Sequence, residues 1–222
     1  MRHYPAIAID GPAASGKSTL GRMVSAALGL RFLDTGLLYR AIAKEMLEAG
    51  TDLGDVEAAV AAAKRLNAAH LDAEALKTEA IGKAASTVAP LVPLREALLT
   101  YQRDFAGTAP GAVLAGRDIG TIVLPDADFK LFITASAEAR ANRRFEELRA
   151  GGFNPILSEV LEDIEKRDRR DQARAVAPLR AASDAFTLDT SDLARDAACQ
   201  AALRAIERES GLSPVDPSGH KD

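Results

Sequence analysis

The stretch "YPAIAIDGPAASGKSTLGRMVSAALG", Tyr4–Gly29, decides the fold of this 222-residue chain. Tyr4–Asp10 is a short apolar run that stops at a Gly/Pro/Ser cluster, the pattern of a buried parallel strand. "GPAASGKS", Gly11–Ser18, then fits G-x-x-x-x-G-K-[ST]. A loop made of Gly11, Pro12, Ala13, Ala14, Ser15 and Gly16 can surround nucleotide phosphates with backbone N–H groups, and the helix that follows adds its positive end. In this pattern Lys17 reaches the β- and γ-phosphates, the Ser18 hydroxyl ligates Mg²⁺, and Thr19 stands beside it in the first helical turn. The bland alternative is a Gly-rich strand-to-helix turn with a chance lysine. The apolar strand before the loop and the helical spacing of Leu20, Val24, Ala27 and Leu28 after it, closed by Gly29, favour phosphate binding.

Working outward, the alternation continues. Strand patterns occupy "RFLDTG" (Arg31–Gly36), "GAVLAGRD" (Gly111–Asp118), "DFKLFITAS" (Asp128–Ser136) and "AFTLDTSD" (Ala185–Asp192). Helical patterns occupy Leu37–Gly50, Pro93–Ala106, Ala137–Gly152, Pro155–Ala177 and Leu193–Ser210. Thr51–Ala85 is Ala-rich and helical, with breaks expected near Asn67–Asp72 and at Gly82. Strands alternating with long helices predict right-handed crossovers and one five-stranded parallel sheet between helical layers, an α/β three-layer sandwich. No internal repeat and no linker divides it, so 1–222 reads as one domain, with a disordered tail from about residue 211. Ligands of such sheets sit beyond the carboxyl ends of the strands.

The 47% hydrophobic and 27% charged content is that of an ordinary globular protein. The net charge of −4 argues against a general nucleic-acid binder. No apolar run approaches the roughly 20 residues of a membrane span, and no leader pattern opens the chain, so a cytoplasmic monomer is expected. Cys199 is the only cysteine and the histidines are His3, His70 and His220, which rules out an internal disulfide and a Cys/His metal cluster. Cys199 lies in an apolar-patterned helix and reads as a buried structural thiol.

Three further segments carry candidate residues, the first two at strand ends and the third on a helix. In "LDTGLLYR", Leu33–Arg40, Asp34 and Thr35 can simply start a helix, or Thr35, Tyr39 and Arg40 can face a second substrate. In "AGRDIGT", Ala115–Thr121, Arg117 has the planar fork that suits a phosphate, and Asp118 can organise that arginine or water around Mg²⁺; a salt-bridged turn is the alternative. The third is "DIEKRDRRDQARAVAPL", Asp163–Leu179, within a segment (Arg140–Arg180) whose nine arginines and one lysine outnumber eight carboxylates. An apolar stripe of Leu157, Val160, Leu161 and Ile164 continues on one helix face into Arg167, Asp168, Asp171 and Arg174. Charges that follow a core-facing stripe need partners or a ligand. The spacing alone fits an ion-pair ladder as well as an anion site.

Together, "IDGPAASGKST", "LDTGLLYRAIA", "KAASTVA", "LREALL", "GRDIGTIVLPDADFKLFITAS" and "RDRRDQARAVAPL" resemble segments of the bacterial cytidylate kinase family, in that family's order, over roughly Ala6–Leu193. That family belongs to the nucleoside monophosphate kinase group of P-loop NTPases. The resemblance implies ATP-dependent phosphorylation of CMP or dCMP to CDP or dCDP, a step of pyrimidine nucleotide metabolism, with Mg²⁺ and no nucleic-acid or membrane partner. It implies that Thr35, Tyr39, Arg40, Ser86, Arg95, Arg117, Asp118, Arg167, Asp171 and Arg174 line the CMP site. Residue 35, Ser86 and Asp171 then read cytosine and ribose, and the arginines hold the CMP phosphate. Lys17, Arg117, Asp118 and Arg174 are the catalytic set, Arg140 and Arg144 help grip ATP, and about 149–166 forms a small lid. The sequence departs from the family's pattern where many members carry a strand-rich insert. Here the monophosphate-binding insert, about 60–90, is shortened and Ala-rich, with Lys77-Thr78 in place of Arg-Thr.

The rivals are a kinase of the same fold acting on AMP, shikimate, gluconate or dephospho-CoA, and a P-loop switch or nucleic-acid-dependent ATPase. The former would not require the Arg167/Asp171/Arg174 face together with Arg117-Asp118. The latter would call for a basic surface or an "NKxD" segment, neither of which the sequence has.

Overall fold

The computed structural model describes residues 3–67 and 71–215. The readings of His70, of His220 and of the tail beyond residue 215 lie outside the described residues. The chain runs β1 (Ala6–Asp10), α1 (Lys17–Ala27), β2 (Arg31–Asp34), α2 (Thr35–Glu48), α3 (Val56–Arg65), α4 (Glu79–Val88), α5 (Val92–Ala106), β3 (Ala112–Gly116), a π-helical turn (Ile119–Val123), β4 (Phe129–Thr134), α6 (Ala137–Ala150), α7 (Leu157–Gln172), β5 (Phe186–Asp189) and α8 (Arg195–Ser210). It divides into two compact units, Met1–Leu33 with Ala106–Asp222, and Asp34–Phe105.

The first unit carries the five-stranded parallel sheet that the strand pattern predicts, in the order β2-β3-β1-β4-β5. β1 lies between β3 and β4, with Ile9 opposite both Ala115 and Leu131, and β4 pairs with β5. The central strands β1 and β3 are buried almost throughout and read as continuous apolar runs, whereas the edge strand β5, FTLD, alternates with Thr187 and Asp189 exposed. Ile7, Ile9, Val113, Ala115, Leu131 and Ile133 pack with Leu20, Val24 and Leu28 of α1 and with Ala198, Cys199, Ala202 and Ile206 of α8. Cys199 is buried in that core, and burial raises its thiol pKa, as expected of a structural cysteine. α6 and α7 form a smaller helical pair around Ala141, Val160 and Ile164.

Two features of this unit differ from the sequence reading. α7 ends at Gln172 and does not continue to Ala177. Ala177 adopts a left-handed φ of 53° ahead of Pro178, which turns the chain back so that the Leu179 N–H donates to the Asp171 carbonyl at 3.0 Å. The start of the supposed loose tail is also tied down. The Val215 N–H donates to the Ala27 carbonyl at 2.8 Å, and Leu212 packs on the core.

The second unit is helical. α2 starts at Thr35 because the Asp34 carboxylate caps it, accepting the Gly36 N–H at 3.0 Å. α3 and α4 pack on α2, and the segment between α2 and α5 holds no strand among its described residues. Gly82, expected as a break, lies inside α4. A Cβ there would come within 3.2 Å of the Arg40 guanidinium, so the glycine allows a close approach of α4 to α2.

Candidate functional site

Gly11 leaves β1 where the chain must cross the end of β4: a Cβ on it would lie 2.3 Å from the Ile133 carbonyl oxygen. At the other end of the loop Gly16 takes φ 86° as it caps α1, a conformation that favours glycine. The first turn of α1 has no acidic residue, so its positive end is uncompensated. Lys17 is buried and donates Nζ to the Pro12 carbonyl at 3.0 Å, curling back over the loop. Ser18 lies half-buried in the same turn. Ser15 Oγ is buried and makes no hydrogen bond to protein among the described residues, an orphan donor that a ligand oxygen would satisfy.

Two arginines of α6 reach the loop from behind. Arg140, expected to grip ATP, instead commits its guanidinium to protein: Nε donates to Ala135 O at 3.0 Å, Nη1 to Ala13 O at 3.2 Å and Nη2 to Asp168 Oδ2 at 2.6 Å. The reason is burial: the arginine is only 5% exposed, and a charge so placed must satisfy its donors locally. Arg143 donates to Ser15 O at 3.4 Å and also to the carbonyl and hydroxyl of Thr190. Arg144, the other arginine expected on ATP, is partly exposed and pairs with Glu147 at 3.2 Å. Sequence reasoning missed Arg143 and Thr190, and it placed Asp168 on the charged face of α7 without giving it a role. The position of Thr190, directly after β5, was the available signal for it.

Asp10 opposite Gly116 in the β1–β3 register brings the phosphate loop and Arg117 out at neighbouring strand ends. The Asp10 carboxylate accepts the N–H groups of Ile119 and Gly120, each at 2.8 Å, and so fixes the start of the π-helical turn that follows Arg117-Asp118. Such turns concentrate at functional sites. Burial pushes the Asp10 carboxyl up from 3.8 to about 6; the two N–H groups and Lys17 oppose the rise, and Asp118 adds to it. Between those pH values the folded protein binds the extra proton, so stability falls as pH rises through the window. Relative to Asp10→Asn, the wild type should therefore gain roughly 2 kcal/mol on going from pH 7.5 to 4.5. Urea unfolding of both proteins at the two pH values measures this, and a gain at pH 7.5 instead would contradict the burial of an ionised Asp10.

Beyond that turn the arginines converge on one carboxylate. Asp171 is 1% exposed. Its Oδ2 accepts Arg117 Nε at 2.9 Å and its Oδ1 accepts Arg174 Nη2 at 2.6 Å. Burial alone would raise the Asp171 pKa, but Arg117, Arg174 and the nearby Arg167 together hold it below the usual range. Three guanidiniums around one carboxylate leave a net +2, enough to attract a phosphate dianion. The ion pairs thus leave a surplus of positive charge: the carboxylate fixes arginines whose charge it only partly cancels. Asp118, the residue after Arg117, is buried. Arg169 and Arg170 are exposed.

In the second unit Thr35 is buried at the first position of α2. Arg95 donates to the Tyr39 hydroxyl at 3.4 Å and to Ala89 O at 3.3 Å. Arg40 donates to the carbonyls of Leu76 at 2.8 Å and Thr78 at 3.4 Å. The buried Ser86 hydroxyl donates to Gly82 O at 3.0 Å. The structure thus brings Tyr39 and Arg95 together and ties Arg40 to the residues just before α4.

Among the described residues no group of three His, Cys, Asp or Glu side chains could hold a metal ion, and no helix is long and apolar enough to cross a membrane. A family model described as "Cytidylate kinase" matches residues 7–208. A cytidylate kinase of Methylocella silvestris is 54% identical over 201 residues, covering 90% of this chain and 93% of that protein. One of Azorhizobium caulinodans is 55% identical, covering 92% and 99%. Among solved structures, a gluconokinase of Sinorhizobium meliloti superposes with a TM-score of 0.51 at 17% identity, covering 95% of this chain and 96% of that one, a likeness of fold alone.

Proposed function

The chain belongs to the cytidylate kinase family, and from that premise we propose that it transfers the γ-phosphoryl group of ATP to CMP or dCMP, giving ADP and CDP or dCDP. The observation that carries this reading is the Arg117–Asp171–Arg174 cluster, net positive with Arg167, at the strand end beside the phosphate loop.

The acceptor phosphate is mostly dianionic near neutral pH, since its second pKa is about 6, so no general base is needed. One of its oxygens attacks the γ-phosphorus as the bond to the β-bridging oxygen breaks, and ADP leaves with that electron pair. The work left to the protein is positioning and neutralisation of charge. Residues Gly11–Thr19 bind the ATP phosphates, with Lys17 following the charge that develops between the β- and γ-phosphoryl groups and Arg144 near the lid. Ser15 Oγ, a buried donor with no protein partner, supports a phosphate-filled loop. Arg117, Arg167 and Arg174 hold the acceptor phosphate, and Asp118 orients Arg117. Asp171 fixes two of these arginines and reads the nucleoside, together with Thr35, Tyr39, Arg40, Ser86 and Arg95; the family likeness supports that second set.

For Mg²⁺ the Ser18 hydroxyl on the first turn of α1 would be the protein ligand, in keeping with an ion that usually binds through few protein groups together with substrate phosphates and water. Bound there, Mg²⁺ supplies further neutralisation of phosphate charge. The segment of about 149–166, which spans the α6–α7 connection and the first turns of α7, is proposed as the lid. It exposes Phe153, Ile156 and Leu157 and turns at Gly152 with φ 82°, and closing such an apolar flap would exclude water from the reacting phosphates. Both substrates are free nucleotides, which supports a cytoplasmic location.

Incubated with ATP, Mg²⁺ and CMP, the protein should form CDP and ADP in equal amounts by anion-exchange chromatography, and EDTA should abolish turnover. ADP without CDP would mean that water is the acceptor and would refute the proposal.

A further inference from the structure

Three cations meet three carbonyl oxygens along the phosphate loop. Lys17 holds Pro12 O, Arg140 holds Ala13 O and Arg143 holds Ser15 O. A trans peptide is planar, with its C=O and the next residue's N–H pointing in opposite directions. Fixing the Ala13 and Ser15 carbonyls toward α6 therefore turns the N–H groups of Ala14 and Gly16 away from α6. Without such a restraint these peptides are free to rotate, and Ala14 sits at a left-handed φ of 57° that a non-glycine residue rarely keeps unaided.

Arg140 does more than hold one carbonyl. Its Nη2 is clamped by Asp168 on α7 at 2.6 Å and its Nε by Ala135 O at the end of β4 at 3.0 Å, so the guanidinium is fixed on three sides. Asp168 lies one residue after Arg167 and three before Asp171 on the helix that carries the arginine cluster. Arg143 is anchored in turn by Thr190 beyond β5.

We propose that Arg140 and Arg143 are positioning residues: held by Asp168 and Thr190, they set the peptide planes of the phosphate loop so that its N–H groups are already aimed at the triphosphate of ATP. This rests on the reading of Gly11–Ser18 as the ATP-phosphate site. The arginines act on the nucleotide through the Ala13 and Ser15 carbonyls and not by touching it. Pre-aimed donors bind more tightly because no conformational freedom is lost when the ligand arrives.

The deciding variant is Asp168→Asn, because two explanations predict opposite signs. If α6 arginines act only through their charge, removing a nearby negative charge should tighten the binding of a polyanion. If they act as a brace, loosening Arg140 should weaken it. We expect the Kd for Mg-ATP, measured by isothermal titration calorimetry, to rise about 10-fold in Asp168→Asn and about 10- to 100-fold in Arg140→Met, the range of one or two charge-assisted hydrogen bonds. The Kd for CMP should rise less than about threefold in either variant on the same scale. Arg140→Lys should not rescue ATP binding, since one ammonium cannot span three acceptors on separate elements. Should Arg140→Met fail to fold, as its melting curve would reveal, the near-isosteric Asp168→Asn carries the test alone. Unchanged or tighter ATP binding in folded Asp168→Asn, or full rescue by Arg140→Lys, would overturn the brace. Absence of ATP binding in the wild type would overturn the phosphate-loop reading itself, and the brace with it.

Discussion

Replacing Arg117 with alanine should lower kcat/KM for CMP by about 10²- to 10³-fold, the usual consequence of removing one charged donor from a phosphoryl-transfer site. Arg117 stands at the end of β3 and donates Nε to the buried Asp171 at 2.9 Å. Its loss removes a phosphate ligand and halves the support of that carboxylate, which keeps Arg174 at 2.6 Å. Truncating one partner of a buried pair also destabilises, by about 3–5 kcal/mol when the remaining charge is left alone; the surviving Arg174 should keep the loss toward or below the low end. The kinetic effect must therefore be read well below the melting temperature, and separated by substrate. The Kd for ATP should stay within about threefold of wild type on the affinity scale, because the phosphate loop is built on β1 and α1 and not on Arg117. A variant with normal CMP kinetics would return Arg117 and Asp171 to a purely structural pair.

Lys17→Ala should have the complementary signature. Its Nζ curls back on Pro12 O at 3.0 Å, within the loop, where an ammonium can follow the charge that builds on the bridging oxygen as the γ-phosphoryl group departs. That charge is greatest in the transition state, so the loss should appear mainly in kcat, on the order of 10³-fold, with a smaller change in ATP affinity. CMP binding should be unaffected. A loss confined to KM for ATP, with kcat intact, would make Lys17 a ground-state ligand only and would contradict its assignment to the transferring phosphoryl group.

What was legible in the sequence follows from which constraints are local. The phosphate loop was legible because its glycines answer local demands: Gly11 clears Ile133 O and Gly16 takes a left-handed φ. The central strands were legible because burial on both faces leaves a continuous apolar run. Arg167, Asp171 and Arg174 stood out because an apolar stripe on α7 ran straight into charge, and the buried Asp171 with its two arginines is the result. Features fixed by distant parts of the chain were not legible. The Asp10 clamp on Ile119 and Gly120 spans more than a hundred residues, and nothing around Asp10 distinguishes it from an ordinary strand end. Arg143 and Asp168 sit on helices crowded with compensating charges, where a brace looks the same as a solvated pair. Gly82 read as a helix break because its reason, the guanidinium of Arg40 against it, lies on another helix. The end of α7 was misplaced because helical spacing continued past Gln172, whereas the left-handed Ala177 and Pro178 turn the chain back.

The most direct test of the account is a comparison of acceptors. With ATP and Mg²⁺ held constant, kcat/KM should be measured by ADP release for CMP, dCMP, UMP, AMP and shikimate offered separately. The account predicts that CMP or dCMP exceeds AMP and shikimate by at least about 10²-fold, the discrimination expected when buried groups that hydrogen-bond the correct substrate are left unpaired by a wrong one. If AMP or shikimate matches or surpasses both cytidine nucleotides, the arginine cluster serves another acceptor and the proposed function is wrong.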